Sequence, residues 1–204
     1  MARLPRRFYR RPAPVVAREL IGHVVVRRDE MGILRRARIV ETEAYGPDDP
    51  ASHAFGGETR RNRVMFGPSG HLYVYFTYGM HWCMNVVTGE AREGSAVLLR
   101  AAEPLAGLDA MRRARRTTRD RDLCRGPARL AQAFGVDGSF DGADLCRGTL
   151  LWVSARTPPP RRSIVSGPRI GVTRGVDLPW RFSERDSVWV SRRPGLRDLA
   201  AGRP

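Results

Sequence analysis

The sequence predicts an α+β fold: a single mixed domain with a curved antiparallel β-sheet, edge helices and a protruding β-hairpin. Two observations carry this expectation. β-rich runs dominate the first half and follow one another through tight turns, whereas the helical patterns are few, short and placed at the edges. A chain of 204 residues with 42% hydrophobic side chains is also long enough to bury roughly 70% of its surface around one core, and no repeat of 20–50 residues divides it.

The elements follow in order. Residues 1–12 carry five arginines among scattered apolar residues and are expected to be loose, as is the Arg-, Gly- and Pro-rich tail 192–204. Pro14 to Gly22 reads as a helix with proline near its start and glycine as its stop. His23–Arg28 and Ile33–Tyr45 read as strands joined by the Asp29–Gly32 turn. From Gly46 to Gly70 the chain is irregular, longer than a compact fold tolerates without a use for it. Leu72–Tyr78 and His81–Val87 form a hairpin about Gly79-Met80. Gly94–Ala101 is a further strand, Pro104–Arg113 and Pro127–Phe134 are helical by pattern, and Arg112–Arg121 is a basic run. Short strands are expected at Thr149–Ser154, Arg169–Val172 and Val188–Val190, with Thr157–Pro160 as a connection.

Composition limits the chemistry. All 36 basic side chains are arginine, against 21 acidic ones, for a net charge of +15 and a pI near 11.3. With no lysine, no side-chain amine can form a Schiff base. Arginine abundance by itself carries little weight, because Asn (only Asn62 and Asn85) and Ile are scarce as well, a bias shared by residues with AT-rich codons. Cys83, Cys124 and Cys146 form no C-x-x-C pair, and His23, His53, His71 and His81 have no spacing that closes a zinc site with them. No metal and no cofactor are expected. Neither a secretory pattern nor a membrane span is evident, so a reducing cytoplasm with an anionic partner fits best.

Two groups of residues invite chemistry. Strand alternation places Ile39, Glu41, Glu43 and Tyr45 on one face. Such a face is an ordinary polar surface if it meets solvent, but this strand runs into the long loop carrying His53, which can cover it. Four of the five tyrosines lie between Tyr45 and Tyr78. Clustered aromatics usually mean core, yet Tyr78-Gly79-Met80-His81 puts large side chains on a turn. An apolar wedge on a basic protein suits the separation of stacked bases, and an aromatic pocket suits an extruded base.

The run Glu41-Thr42-Glu43-Ala44-Tyr45, then His53, Arg61-Asn62-Arg63, Met65-Phe66, Leu72-Tyr73-Val74-Tyr75, Tyr78-Gly79-Met80, Cys83-Met84-Asn85, Val97-Leu98-Leu99-Arg100 and Glu103-Pro104 resembles the alkyladenine (3-methyladenine) DNA glycosylase family. Gly126-Pro127, Leu130, Asp144-Leu145, Pro168-Arg169-Ile170-Gly171 and Pro179-Trp180-Arg181 extend the resemblance over nearly the whole chain. It implies one glycosylase domain over 1–204, a monomer acting without metal or membrane on double-stranded DNA that holds a damaged purine, in a bacterial cytoplasm at the nucleoid. The enzyme would flip the purine out and hydrolyse its N-glycosidic bond. By the same resemblance Glu43 activates the water and Arg100 helps to hold that water or the nearby backbone. Tyr45, His53, Tyr75 and the Ala51 amide bind the base, and Asn85 rejects normal guanine. Tyr78 fills the vacated stack, with Met80 and His81 beside it. Glu41 receives no such role and reads as structural or as a group that tunes Glu43. The competing class is a nucleic-acid-binding or lesion-sensing protein without catalysis, which needs the wedge and the basic surface but no water-activating carboxylate.

Overall fold

The computed structural model describes residues 2–156, 160 and 163–191. It is a mixed α+β domain. The elements are α1 (Arg6–Tyr9), α2 (Ala13–Leu20), β1 (Val24–Arg28), β2 (Leu34–Tyr45), β3 (Leu72–Thr77), β4 (His81–Thr88), β5 (Ser95–Ala106), α3 (Leu108–Arg115), α4 (Pro127–Phe134), β6 (Leu151–Ser154), β7 (Ile164–Gly167) and β8 (Arg181–Glu184). Among the described residues no helix is long and apolar enough to cross a membrane.

One antiparallel sheet runs in the order β3-β4-β5-β2-β1-β6, with the β7–β8 ribbon joined through β8. The twelve-residue β2 is its spine. One edge of β2 pairs with β5; the other is divided, Leu34–Arg38 going to β1 and Glu41–Glu43 to β8. Register shifts between Arg36 and Ala37 and on both sides of Glu41 interrupt the β2–β5 ladder. Such irregularities bend a strand and raise its twist, so the sheet curls. Every residue from Ile39 to Ala44 is fully buried, because the curl covers both faces of β2.

Helix α2 turns Ala13, Val16, Ala17 and Leu20 inward, the i, i+3, i+4, i+7 stripe of an amphipathic helix. Thr42 of β2 is satisfied against it, its Oγ1 donating to the Ala17 carbonyl at 2.8 Å. Helix α4 starts on Pro127 and stops at Gly135 with φ 60°, as its sequence implies, and buries Leu130, Ala131, Ala133 and Phe134.

Three expectations are corrected. The proposed helix at Pro104–Arg113 begins only at Leu108, since Pro104–Ala106 still pair with β2. Gly107, at φ 76°, makes the break. Residues 2–12 are packed and not loose: Leu4 N donates to Val153 O, Ala155 N donates to Ala2 O, and Tyr9 is wholly buried. Residues 2–4 cover the edge of β6, which would otherwise expose unpaired backbone. Arg169–Val172 and Val188–Val190 are not strands; the strands of this region are β7 and β8. In the two segments backbone groups bond to side chains, as when Ile170 N donates to Glu43 and the Val190 carbonyl accepts from Arg125. The tail 192–204 and most of the Thr157–Pro160 connection lie outside the described residues.

Gly107 tests the β5–α3 junction. A Cβ there would lie 2.5 Å from the Leu34 carbonyl oxygen, and the left-handed conformation alone costs roughly 1–2 kcal/mol for a residue with a side chain. Gly107→Ala should therefore lower the thermal midpoint by about 2–8 °C. Gly56→Ala, whose Cβ meets nothing within 4 Å, should leave it unchanged by calorimetry.

Candidate active site

Strand β2 carries Glu41 and Glu43 into the interior with neither exposed, which removes the solvated-surface reading of this face. Arg100 of β5 lies between them. Its Nη1 donates to Glu43 Oε2 at 3.0 Å, while its Nε stands 3.4 Å from Glu41 Oε1. Glu43 Oε2 also accepts from the Tyr45 hydroxyl at 2.9 Å, and Oε1 accepts from the Ile170 amide at 2.7 Å. Glu41 accepts from Arg181 Nη1 at 3.3 Å and from the Ser191 amide at 2.6 Å. Burial alone would lower the Arg100 pKa, but Glu43 and Glu41 outweigh it and hold the guanidinium above its ordinary value. Both buried charges are thus compensated, as charges out of water must be.

Beside this network opens a cavity of about 400 Å³ bordered by Tyr45, His53, Tyr73, Tyr75, Asn85 and Arg100, with Ile170, Gly171 and Val172 on another side. Tyr75 is the central ring. His53 meets it edge-on at 4.5 Å between centroids, and Tyr73 lies nearly parallel to it at 5.6 Å. Desolvation and then Glu43 push the Tyr45 phenol up, and desolvation and then Cys83 do the same for Tyr75. Tyr73 is pushed up by burial to about 12. All three rings are therefore neutral donors at pH 7. Desolvation, helped by Arg61, lowers His53, so its imidazole is neutral too. His53 Nδ1 is 3.0 Å from the Tyr73 hydroxyl; a phenol donating there leaves the ring proton on Nε2. Asn85 is fixed by its Nδ2, which donates to the Tyr73 carbonyl at 3.2 Å.

The loop carrying His53 is held from within. Asn62 accepts from Thr59 N at 2.6 Å and donates to the carbonyls of His53 and Gly57 at 2.8 and 3.0 Å. Ala51 borders the cavity, and its amide donates to Asp49 Oδ1 at 3.0 Å. Asp49 in turn pairs bidentately with Arg169, whose guanidinium lies 4.7 Å over the Tyr45 ring and 5.6 Å over Trp180. A buried ion pair therefore backs the cavity wall at Tyr45.

The β3–β4 hairpin projects at the cavity's border. Tyr78 and Gly79 have φ of 51° and 65°, and Met80 N donates to the Thr77 carbonyl at 3.2 Å. Two central residues at positive φ are what a type I′ turn requires, and its twist matches the strands. Tyrosine in that conformation costs roughly 1–2 kcal/mol. The turn leaves Tyr78 82% and Met80 67% exposed, with His81 exposed beside them. Tyr78 and His81 border the cavity, and Met80 stands at the tip. Among the described residues no group of three or more His, Cys, Asp or Glu side chains could hold a metal ion.

The structure brings Glu43, Tyr45, Ala51, His53, Tyr75, Asn85 and Arg100 together. Sequence reasoning assigned no role to Tyr73, Asp49, Arg169, Ile170 or Arg181. Three of these sit in the Pro168–Gly171 and Pro179–Arg181 motifs, where the motif itself was the available signal; Tyr73 looked like core, and Asp49 gave no signal. The Arg112–Arg121 run is partly engaged internally, Arg112 pairing with Asp109 and Asp120 and Arg121 donating to the Val188 carbonyl.

Residues 7–188 match the methylpurine-DNA glycosylase family. A relative from Burkholderia lata, provisionally named a 3-methyladenine DNA glycosylase, is 52% identical over 193 residues, covering 92% of this chain and 90% of its own length. Proteins of the same provisional name from Agrobacterium fabrum and Carboxydothermus hydrogenoformans are 50% and 46% identical over 190 residues. Each match covers 93% of this chain, with 93% and 99% of the relatives' lengths. With both its length and its motifs accounted for in this way, the chain belongs to the methylpurine-DNA glycosylase family.

Proposed function

We propose that the protein is a monofunctional DNA glycosylase that flips an alkylated or deaminated purine out of duplex DNA and hydrolyses its N-glycosidic bond, leaving an abasic site. It acts as a monomer on nucleoid DNA. The observation that carries this reading is Glu43. A carboxylate offers about four acceptor sites, and three are taken by Tyr45, Arg100 and Ile170. The fourth suits a water. The water oxygen attacks C1′, its proton passes to Glu43, and the glycosidic electron pair leaves with the purine as oxocarbenium character develops. Arg100 keeps the carboxylate aimed. A non-catalytic binder would gain nothing from burying such a carboxylate, which costs several kcal/mol before compensation.

An N3- or N7-alkylated purine is positively charged, so it leaves as a neutral base and is attracted by the electron-rich faces of Tyr45 and Tyr75, by about 0.5–2 kcal/mol. His53 and the Ala51 backbone complete the binding wall. Asn85, held by the Tyr73 carbonyl, stands where the exocyclic amine of normal guanine would collide with it. Tyr78, with Met80 and His81 beside it, fills the gap in the stack, and the net charge of +15 draws the phosphate backbone.

Three outcomes follow from this reading. Glu43→Gln keeps the shape and removes the proton acceptor; single-turnover base release should fall by at least about 10²–10⁴ while lesion binding stays within a few-fold. More than a tenth of wild-type activity would move the base elsewhere. Tyr78→Ala should weaken capture of the lesion in duplex DNA, since unstacking costs a few kcal/mol, and affect single-stranded substrate far less. Equal losses on both would remove the wedge role. Because the chain has no lysine, borohydride added during turnover should trap no covalent protein–DNA adduct, and a substantial yield would establish a lyase step.

A further inference from the structure

Glu41 is as deeply buried as Glu43, yet the mechanism above does not use it. We propose that Glu41 is a positioning residue that withholds part of the Arg100 guanidinium from Glu43, keeping Glu43 basic enough to take a proton from water near neutral pH. This inference rests on the glycosylase reading and on Glu43 as its general base.

The geometry of Arg100 is the ground for it. A guanidinium facing a single carboxylate frequently closes on it with two parallel hydrogen bonds, as Arg169 does on Asp49. Here the arms diverge: Nη1 donates to Glu43 at 3.0 Å, Nη2 donates to Ser191 Oγ at 3.4 Å, and Nε faces Glu41 Oε1 at 3.4 Å. The Nε, although buried, makes no hydrogen bond. Glu41 therefore holds Arg100 by charge and by place. It cannot follow Arg100 toward Glu43, because Arg181 Nη1 from β8 and the Ser191 amide grip its two oxygens.

The surrounding charges leave Glu41 as the tuning group. Glu43 faces Tyr45 on its own strand, Arg100 from β5 and the Ile170 amide from the segment after β7. It also feels Tyr75 of β3 and Arg169, but the Arg169 charge is matched by Asp49. Glu41 faces Arg100, Arg181 and Ser191. Two carboxylates sharing one guanidinium each raise the other's proton affinity. Without the charge of Glu41, Arg100 would serve Glu43 alone and make it a poorer base.

The test is the pH profile of single-turnover 7-methylguanine release from duplex DNA with excess protein. Glu41→Gln should move the midpoint of the acid limb down by about one pH unit and lower the plateau about tenfold, with lesion binding within twofold. Arg181→Gln, which leaves the Glu41 charge less compensated, should move the midpoint up. Glu41→Asp, which keeps the charge, should restore the wild-type midpoint. A folded Glu41→Gln variant with an unmoved midpoint would overturn the proposal and leave Glu41 as a structural residue. If that variant does not fold, an unmoved midpoint in Arg181→Gln overturns it equally. No base release by the wild-type protein sinks the glycosylase reading and this inference together, a result distinct from a profile that merely fails to shift.

Discussion

Two carboxylates occupy the middle of the most buried strand, and much of the structure answers to their charge. An uncompensated carboxylate in the interior costs several kcal/mol, so β2 can carry Glu41 and Glu43 only where cations and amides converge on it. Arg100 comes from β5, Arg181 from β8, the Ile170 amide from the segment between β7 and β8, and the Ser191 amide from the last described residue. These contacts span up to 150 positions of sequence. They explain why the segments around Ile170 and Val190 are irregular: their backbone groups are spent on side chains.

The same arrangement orients the Glu43 carboxylate without exposing it. Glu43 is hidden from bulk water but adjoins a cavity whose aromatic rings are neutral and whose histidine is held uncharged. Its donors restrain it on three sides, which fixes direction as well as charge. A group whose orientation is settled before substrate arrives avoids reorganisation during the reaction. The Asp49–Arg169 pair does the matching work for Tyr45, stiffening the cavity wall from behind.

At the cavity's border the balance tips the other way. Around Glu43 unfavourable burial is compensated; at Tyr78 a strained backbone and an exposed ring are left in place. With Tyr78 82% exposed, packing among the described residues offsets little of that cost, and strained backbone clusters at functional positions. The type I′ turn ensures that the ring stands away from the body of the hairpin, where it can enter another molecule.

Local signals in the sequence were sufficient for most elements. Alternation marked β2, tight-turn residues marked the β3–β4 hairpin, and Pro127 with Gly135 bracketed α4, because each depends on neighbours a few positions apart. Where two local signals competed the reading failed: Pro104 looked like a helix start, but pairing with β2 continued to Ala106 until Gly107 broke it. The family motifs pointed to Glu43, His53, Tyr75 and Arg100 as site residues, and the tertiary structure brings them together. The sequence by itself determined the residue types, the β-rich architecture and the absence of any lysine side-chain amine. Only the tertiary structure decided that Glu41 and Glu43 share one arginine, that Asp49 and Arg169 brace Tyr45, and that residues 2–4 seal β6. Each of these is a pairing of buried charge or open strand edge with a partner far along the chain, and sequence periodicity carries no information about distant partners.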